Sequence, residues 1–412
     1  MSVYGRVEEV HQENREPLEY QIEQESHHRE SSRLPLVKIL LWSTLVTGIT
    51  LGVPLLLDLM SAQEVQDFYA GWALHQTGKI YSDYYGSQGL LYYLLTYVTQ
   101  GGFFFAIFEW LALVAGGFFL FKSADTLTEQ GDQAGQLVTI FYMLVTGLAF
   151  GGGYATLLAL PFLFAAFSLV ATYLSNPSHD KGFVRIGLAL AGGFFFAPLA
   201  SLLFIAVVSL GLLVFNLGHR RFAHGFYQFL AVALGFSLVF YPIGYVTVWN
   251  QTFGYAINQV TYVFNALDFT NGQTFSNAIY YGLLALAFGL VSAFLMSFTK
   301  QDSSARRIFR FMGWVGSLVV LLVSIGLPEQ GAYQLLPMLP FVLPLFALWF
   351  SRDEETDEGL ERRGRKKKNK KVWAAYFTSQ AFLPVIALIY LVASPVVQDQ
   401  VLQPGQSSER SE

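Results

Sequence analysis

The chain contains no cysteine, which excludes disulfides, thiolate metal sites and a cysteine nucleophile. Charge is also scarce: 13% of the 412 residues are Asp, Glu, Lys or Arg, against 53% hydrophobic. A water-facing surface cannot be covered with so few charges, so lipid must cover much of it. Phosphate-cradling glycine loops are missing as well. The runs Gly151-Gly152-Gly153 and Gly192-Gly193 precede no strand-to-helix turn of the nucleotide-binding kind, and read as span ends or close-packing points. No soluble catalytic domain is visible in the pattern, so any chemistry belongs to loops and helix ends at the membrane surface.

What the chain has in plenty is Phe (38), Tyr (22) and Gly (37), which suits packed membrane helices with ring residues at the interfaces. The reading is an all-α integral membrane protein with about eleven transmembrane helices. Spans are predicted near 36–57, 101–121, 134–152, 154–174, 183–199, 200–216, 226–248, 275–298, 309–327, 332–350 and 373–395. Residues 1–35 read as a disordered acidic cytoplasmic tail, too polar and long for a signal-peptide start, so the first span is an uncleaved anchor. The organisation is then a transmembrane module over 36–350, a basic cytoplasmic loop over 351–372, a last span over 373–395, and a disordered outer tail over 396–412.

Charge sets the expected orientation. With a cytoplasmic N-terminus and an outer C-terminus, every Lys and Arg except Lys79 and Arg410 falls on the inside, as the positive-inside rule requires. The run Arg362 to Lys371 is a topology and anionic-lipid anchor; nothing aromatic or folded accompanies it, so nucleic acid is not expected as a partner. Only two outer segments, 58–100 and 249–274, are long enough to build a site.

The first of these starts as an amphipathic helix. Ser61 can cap it, Glu64 follows three residues later, and Gly78 stops it. Glu64, Asp67, Gly71, Leu74 and His75 share one face; Val65, Phe68, Tyr69, Trp72 and Ala73 share the other, which would lie against the membrane or neighbouring helices. By spacing alone Asp67 is an exposed helix acid, Asp83 a turn residue, Lys79 a helix-end cation and His75 a packed ring. Glu109 is the one acid well inside an apolar segment, and signals either function or a polar partner. In the second outer segment, Asn258, Gln259, Tyr262, Asn265 and Asp268 are polar candidates for a binding site, with Tyr255 and Phe264 as stacking rings, unless the stretch is simply an interfacial helix.

The arrangement Asp67-Phe68-Tyr69, Gly78-Lys79-Ile80-Tyr81-Ser82-Asp83 and Gln88-Gly89-Leu90-Leu91-Tyr92-Tyr93 resembles the first extracytoplasmic loop of GT-C glycosyltransferases. Tyr333-Gln334-Leu335-Leu336-Pro337 is similar to the start of a late span in that superfamily. The resemblance implies transfer of a sugar from a polyprenyl-phosphate carrier to an envelope glycan or lipid acceptor on the outer face of a bacterial plasma membrane. It implies Asp67 as the catalytic base, with inversion at the sugar, and Lys79, Asp83, His75, Gln88 and Tyr333 as substrate-binding residues. Asp83 would position Lys79 or the acceptor, or help hold a divalent cation such as Mg or Mn. No metal ligand set is apparent beyond it. Two rival readings stand beside this one: a transporter or flippase of a lipid-linked saccharide, and a non-catalytic partner in envelope assembly.

Overall fold

The computed structural model describes residues 34–57, 59–60, 62–76, 79–83, 86–128, 131–177, 182–265, 308, 311–316, 318–319, 332–341 and 343. The expected spans over 275–298 and 373–395, both polar termini and the basic 351–372 loop lie outside the described residues. Every extended element among the described residues is a helix: α1 (Leu36–Leu57), α2 (Ala62–Ala73), α3 (Leu90–Thr99), α4 (Phe103–Thr128), α5 (Gly131–Leu148), α6 (Ala155–Ser175), α7 (Phe183–Phe196), α8 (Pro198–Gly218), α9 (Phe222–Trp249) and α10 (Phe253–Asn265). A 3₁₀ turn covers Ala332–Met338.

Five of these, α1, α4, α6, α8 and α9, are long and apolar enough to cross a membrane. At about 1.5 Å of rise per residue, 21 or more residues reach roughly 30 Å, the thickness of a hydrocarbon core. The protein is therefore built as a multi-pass membrane protein. The apolar helices α3 and α7 are shorter, at 10 and 14 residues. The α7–α8 connection is a single residue, Ala197, whose φ of −132° and ψ of 89° break the helix before Pro198 starts the next one. Proline suits that first position, because its missing N–H has no intrahelical partner there in any case.

The long helices alternate in direction, so their ends collect into two layers. At one end lie the start of α1, whose Lys38 Nζ donates to the Gly135 carbonyl of α5, and the α8–α9 turn. Lys122, Arg185, Arg220 and Arg221 are exposed in the same layer. At the other end α1 finishes beside the α5–α6 turn, α7 finishes beside the start of α3, and α2 and α10 are added. Gly89 N donates to the Phe196 carbonyl, and the Phe195 carbonyl leaves no room for a Cβ on Gly89.

Packing in lipid gains little from apolar burial itself, so close contact and hydrogen bonds carry more of the load. Helices α7 and α9 meet backbone to backbone. Gly187 sits on the Val232 carbonyl and Gly235 on the Val184 carbonyl, with no space for a Cβ at either. Elsewhere α1, α4 and α5 are stitched by Tyr142, whose hydroxyl accepts from Ser43 at 2.8 Å and donates to the Leu113 carbonyl at 2.9 Å.

Candidate functional site

Helix α2 is inside out by the standards of a water-exposed helix. Glu64, Asp67, Ala70 and Gly71 are buried, while Val65, Tyr69 and Trp72 are exposed. The buried set recurs at three- and four-residue steps, so one face carries both acids inward. Gly71 lets that face press on Thr96 of α3, where a Cβ would overlap the threonine. Val65, Tyr69 and Trp72 form the outward face expected to meet lipid, but Phe68 packs inward on Phe105, Ala73 is buried, and His75, expected beside the acids, is exposed.

Asp67 ends in a pocket of tyrosines. It is only 7% exposed, which overturns the spacing-only expectation of an exposed helix acid. Tyr93 Oη donates to its Oδ1 at 3.1 Å, and the Gln88 side chain bonds it as well. Gln88 is fixed at two further points: its N–H donates to the Tyr93 hydroxyl at 3.2 Å, and its carbonyl accepts from the Tyr81 hydroxyl at 2.9 Å. Among the described residues no lysine or arginine is a partner that acts on Asp67. Burial pushes its carboxyl up to about 7, and the bonds from Tyr93 and Gln88 offset only part of that rise. Burial also pushes the Tyr81 hydroxyl up, with the charge of Asp67 adding to it.

Two more buried acids stand close by. Glu64, 1% exposed, lies against Gly153, where an added Cβ would come 2.8 Å from its Oε1. Glu109 on α4 accepts from Thr50 Oγ1 at 2.7 Å and from Gly153 N at 2.8 Å. The geometry behind that pair starts in α1, which passes through a π turn over Gly48–Gly52. Pro54 has no N–H to return to the carbonyl of Thr50, and that carbonyl accepts from Gly151 N at 3.1 Å instead. Gly151, Gly152 and Gly153 all have positive φ (110°, 63° and 72°), a run that residues with a Cβ would resist. The turn they make brings one N–H to Thr50, one to Glu109, and the Gly153 carbonyl to the Tyr92 hydroxyl at 2.9 Å. The Tyr92 hydroxyl lies within electrostatic reach of Asp67, Glu64, Glu109 and Tyr333.

The residues singled out in the sequence therefore divide. Asp67 and Gln88 are in direct contact, while Tyr333 stacks on Tyr154 with ring centroids 4.0 Å apart and lies within electrostatic reach of Tyr92 rather than of Asp67. His75 turns away: its ring stacks on Tyr97 at 4.2 Å, and its Nε2 lies 2.9 Å from the Tyr97 carbonyl. Lys79 and Asp83 are exposed on the connecting turn, where Asp83 accepts from Lys79 N at 2.7 Å and from Ser82 Oγ at 3.0 Å. Those bonds hold the Asp83 carboxylate below the usual range. Glu109 has the polar partners that were one of its two readings. Asp268 lies outside the described residues.

Tyr92, Tyr93 and Gly153 were not singled out as site residues. The available signal was the adjacent tyrosine pair at a helix start, but only the fold shows that one points to Asp67 and the other to the glycine turn. Among the described residues no group of three or more His, Asp or Glu side chains is arranged as ligands for a metal ion. What the arrangement can do is hold a proton near neutrality and pass it to or from a hydroxyl. Among the described residues no lysine or arginine bonds the Asp67 carboxyl.

No curated protein and no solved structure matches the chain. The resemblance to GT-C glycosyltransferases is overturned, because the family model that matches is not one of a glycosyltransferase family. The motif residues have local duties that need no such kinship: Tyr81 bonds Gln88, Asp83 closes its own turn, and Gly89 fits under the end of α7. Residues 24–403 match a family model described as "Putative competence-induced protein Ccs4 N-terminal domain", and the chain belongs to that family.

Proposed function

We propose that this protein is a carrier-type membrane protein in which Asp67 binds and releases a proton as the protein handles a membrane-borne substrate. The observation that carries the reading is the Asp67 carboxyl itself, buried and bonded by Tyr93 and Gln88 rather than by a cation. Intramembrane and membrane-edge acids of this kind are costly, and proton relays in pumps and transporters are built from them. Glu64 and Glu109 next to it would give such a relay neighbours on both sides of Tyr92. The family's printed description ties its members to induction in competence, which gives a setting rather than a chemistry.

Orientation belongs to the same proposal. Lys38, Lys122, Arg185, Arg220 and Arg221 gather at one end of the bundle, which the positive-inside rule makes cytoplasmic. The acid and tyrosine end then faces outward, with about eleven spans in all once the segments beyond the described residues are included. A second reading is favoured by the burial that pushes the Asp67 carboxyl up to about 7. A base poised there could take the proton of an acceptor hydroxyl in a group transfer.

The test is an infrared titration of the carboxyl groups in purified protein held in lipid nanodiscs. A protonated carboxyl that ionises close to neutral pH and vanishes in Asp67→Asn is the expected result. No such group in the wild type, or one untouched by the substitution, would remove Asp67 from the proposal. Proton uptake by proteoliposomes along a pH gradient, abolished by Asp67→Asn and kept by Asp83→Asn, then separates a carrier from a transferase.

A further inference from the structure

Helix α10 reaches the Asp67 pocket through one side chain. The Gln259 carboxamide spans the connecting turn between α2 and α3: its Nε2 donates to the Tyr81 carbonyl at 2.7 Å, and its Oε1 accepts from Gly86 N at 2.9 Å. Both ends of one amide are thus spent on backbone groups far away in sequence. The first of those backbone groups belongs to a strained residue. Tyr81 has φ of 68°, a left-handed conformation that a bulky side chain adopts only when its surroundings over-determine it. Tyr81 is held at its carbonyl by Gln259 and at its hydroxyl by the Gln88 carbonyl, and Gln88 is the residue that bonds both Tyr93 and Asp67.

We propose that Gln259 is a positioning residue for Asp67, a latch by which α10 keeps Tyr81 and Gln88 closed over the carboxylate and sets its access to water. The chain of contacts runs from Gln259 to the Tyr81 carbonyl, from the Tyr81 hydroxyl to Gln88, and from Gln88 to Asp67. When the amide lets go, the strain at Tyr81 favours its release, and Gln88, bonded to the Tyr81 hydroxyl, leaves with it. Movement of α10 relative to the bundle then becomes movement of the gate. The proposal concerns access alone, and only its pH readout rests on the proton-binding reading above.

Because the chain has no cysteine, a single Asp67→Cys substitution places one thiol in the pocket. Its rate of modification by a charged, water-soluble thiol reagent is compared with and without Gln259→Met, which keeps the length of the side chain and removes both hydrogen bonds. The same comparison is made for Ser43→Cys, buried between α1 and α5 away from the turn. Loss of the two bonds should speed labelling at position 67 by about tenfold and leave position 43 unchanged. Equal rates at position 67 would overturn the latch. So would a common acceleration at both positions, which would make Gln259 a support of the whole bundle. With native Asp67, Gln259→Met should also move the infrared midpoint of the carboxyl down toward the ordinary carboxylate range as water enters. An unmoved midpoint alongside faster labelling at position 67 would overturn Gln259's control of the carboxyl's hydration, and would not bear on the proton-binding reading tested by Asp67→Asn.

Discussion

The two ends of the helical bundle bury polar side chains in opposite ways. At the cation-bearing end the buried network is neutral: Tyr173 Oη donates to Asn216 Oδ1 at 3.4 Å, and Asn216 Nδ2 donates to Gln228 Oε1 at 3.0 Å. Its charges stay on the surface, at Lys122, Arg185, Arg220 and Arg221. At the other end the buried groups are acids, and their partners are tyrosine hydroxyls, a threonine and backbone N–H groups. The amides ask only for hydrogen bonds, and once those are made the network has nothing left to exchange. A buried carboxyl remains a titratable group, so it responds to pH and to water entry. One end is a fastening and the other can change state.

The largest expected effect tests that contrast directly. Asp67 has its pKa raised from 3.8 to about 7, so the native state holds a proton that the unfolded chain releases between those values. Stability from this group is complete below about pH 4 and is lost as pH rises through about 7. Asp67→Asn escapes the loss, and should be more stable than wild type by up to roughly 4 kcal/mol at pH 8, with no difference at pH 4. Thermal unfolding in detergent at both pH values reads it; a pH-independent difference would erase the distinction between the ends.

Next in size is a pair of glycine substitutions, one from each end. Gly153→Ala puts a Cβ at φ 72°, 2.8 Å from both Glu64 Oε1 and Phe68 Cζ, and should cost about 3 kcal/mol from backbone strain and overpacking together. Gly218→Ala meets nothing within 4 Å and should be neutral or stabilising by up to about 1 kcal/mol. Similar unfolding temperatures for the two variants would show that the glycine turn is not the rigid part of the acid end. The smallest effect belongs to Gln228→Leu, which strands the Asn216 amide and should cost roughly 1–2 kcal/mol. That cost should be the same at pH 5 and pH 8, because nothing in the network titrates between them. A cost that varied with pH would mean that the amide end also senses protons.

Much of the architecture was legible in the residues. The seven apolar segments from 36 to 248 all form helices, since a long apolar run in lipid must satisfy its own backbone and the helix does so locally. The inward facing of Glu64 and Asp67 on α2 followed from spacing, and so did the span end at Gly151, whereas Ala73 is buried and His75 exposed against the expected division. The loop motif was a poorer guide. Short Gly, Tyr and Asp patterns at a span entry arise wherever a turn must close and dock, and here Asp83 serves its own turn while Gly89 makes room for α7. The motif suggested a family from residues that the fold employs structurally.

The sequence by itself determined that this protein is helical and membrane-crossing, which helix face carries the acids, and where charge is absent. These follow from periodicity and composition, which are local properties of the chain. Only the tertiary structure decided that Asp67 is buried rather than exposed, that Glu109 fastens a glycine turn, and that Gln259 holds a loop almost two hundred residues away. Each depends on which segments meet in space, and neither hydrophobic pattern nor short-range spacing records whether a distant backbone carbonyl stands within 3 Å of a given amide.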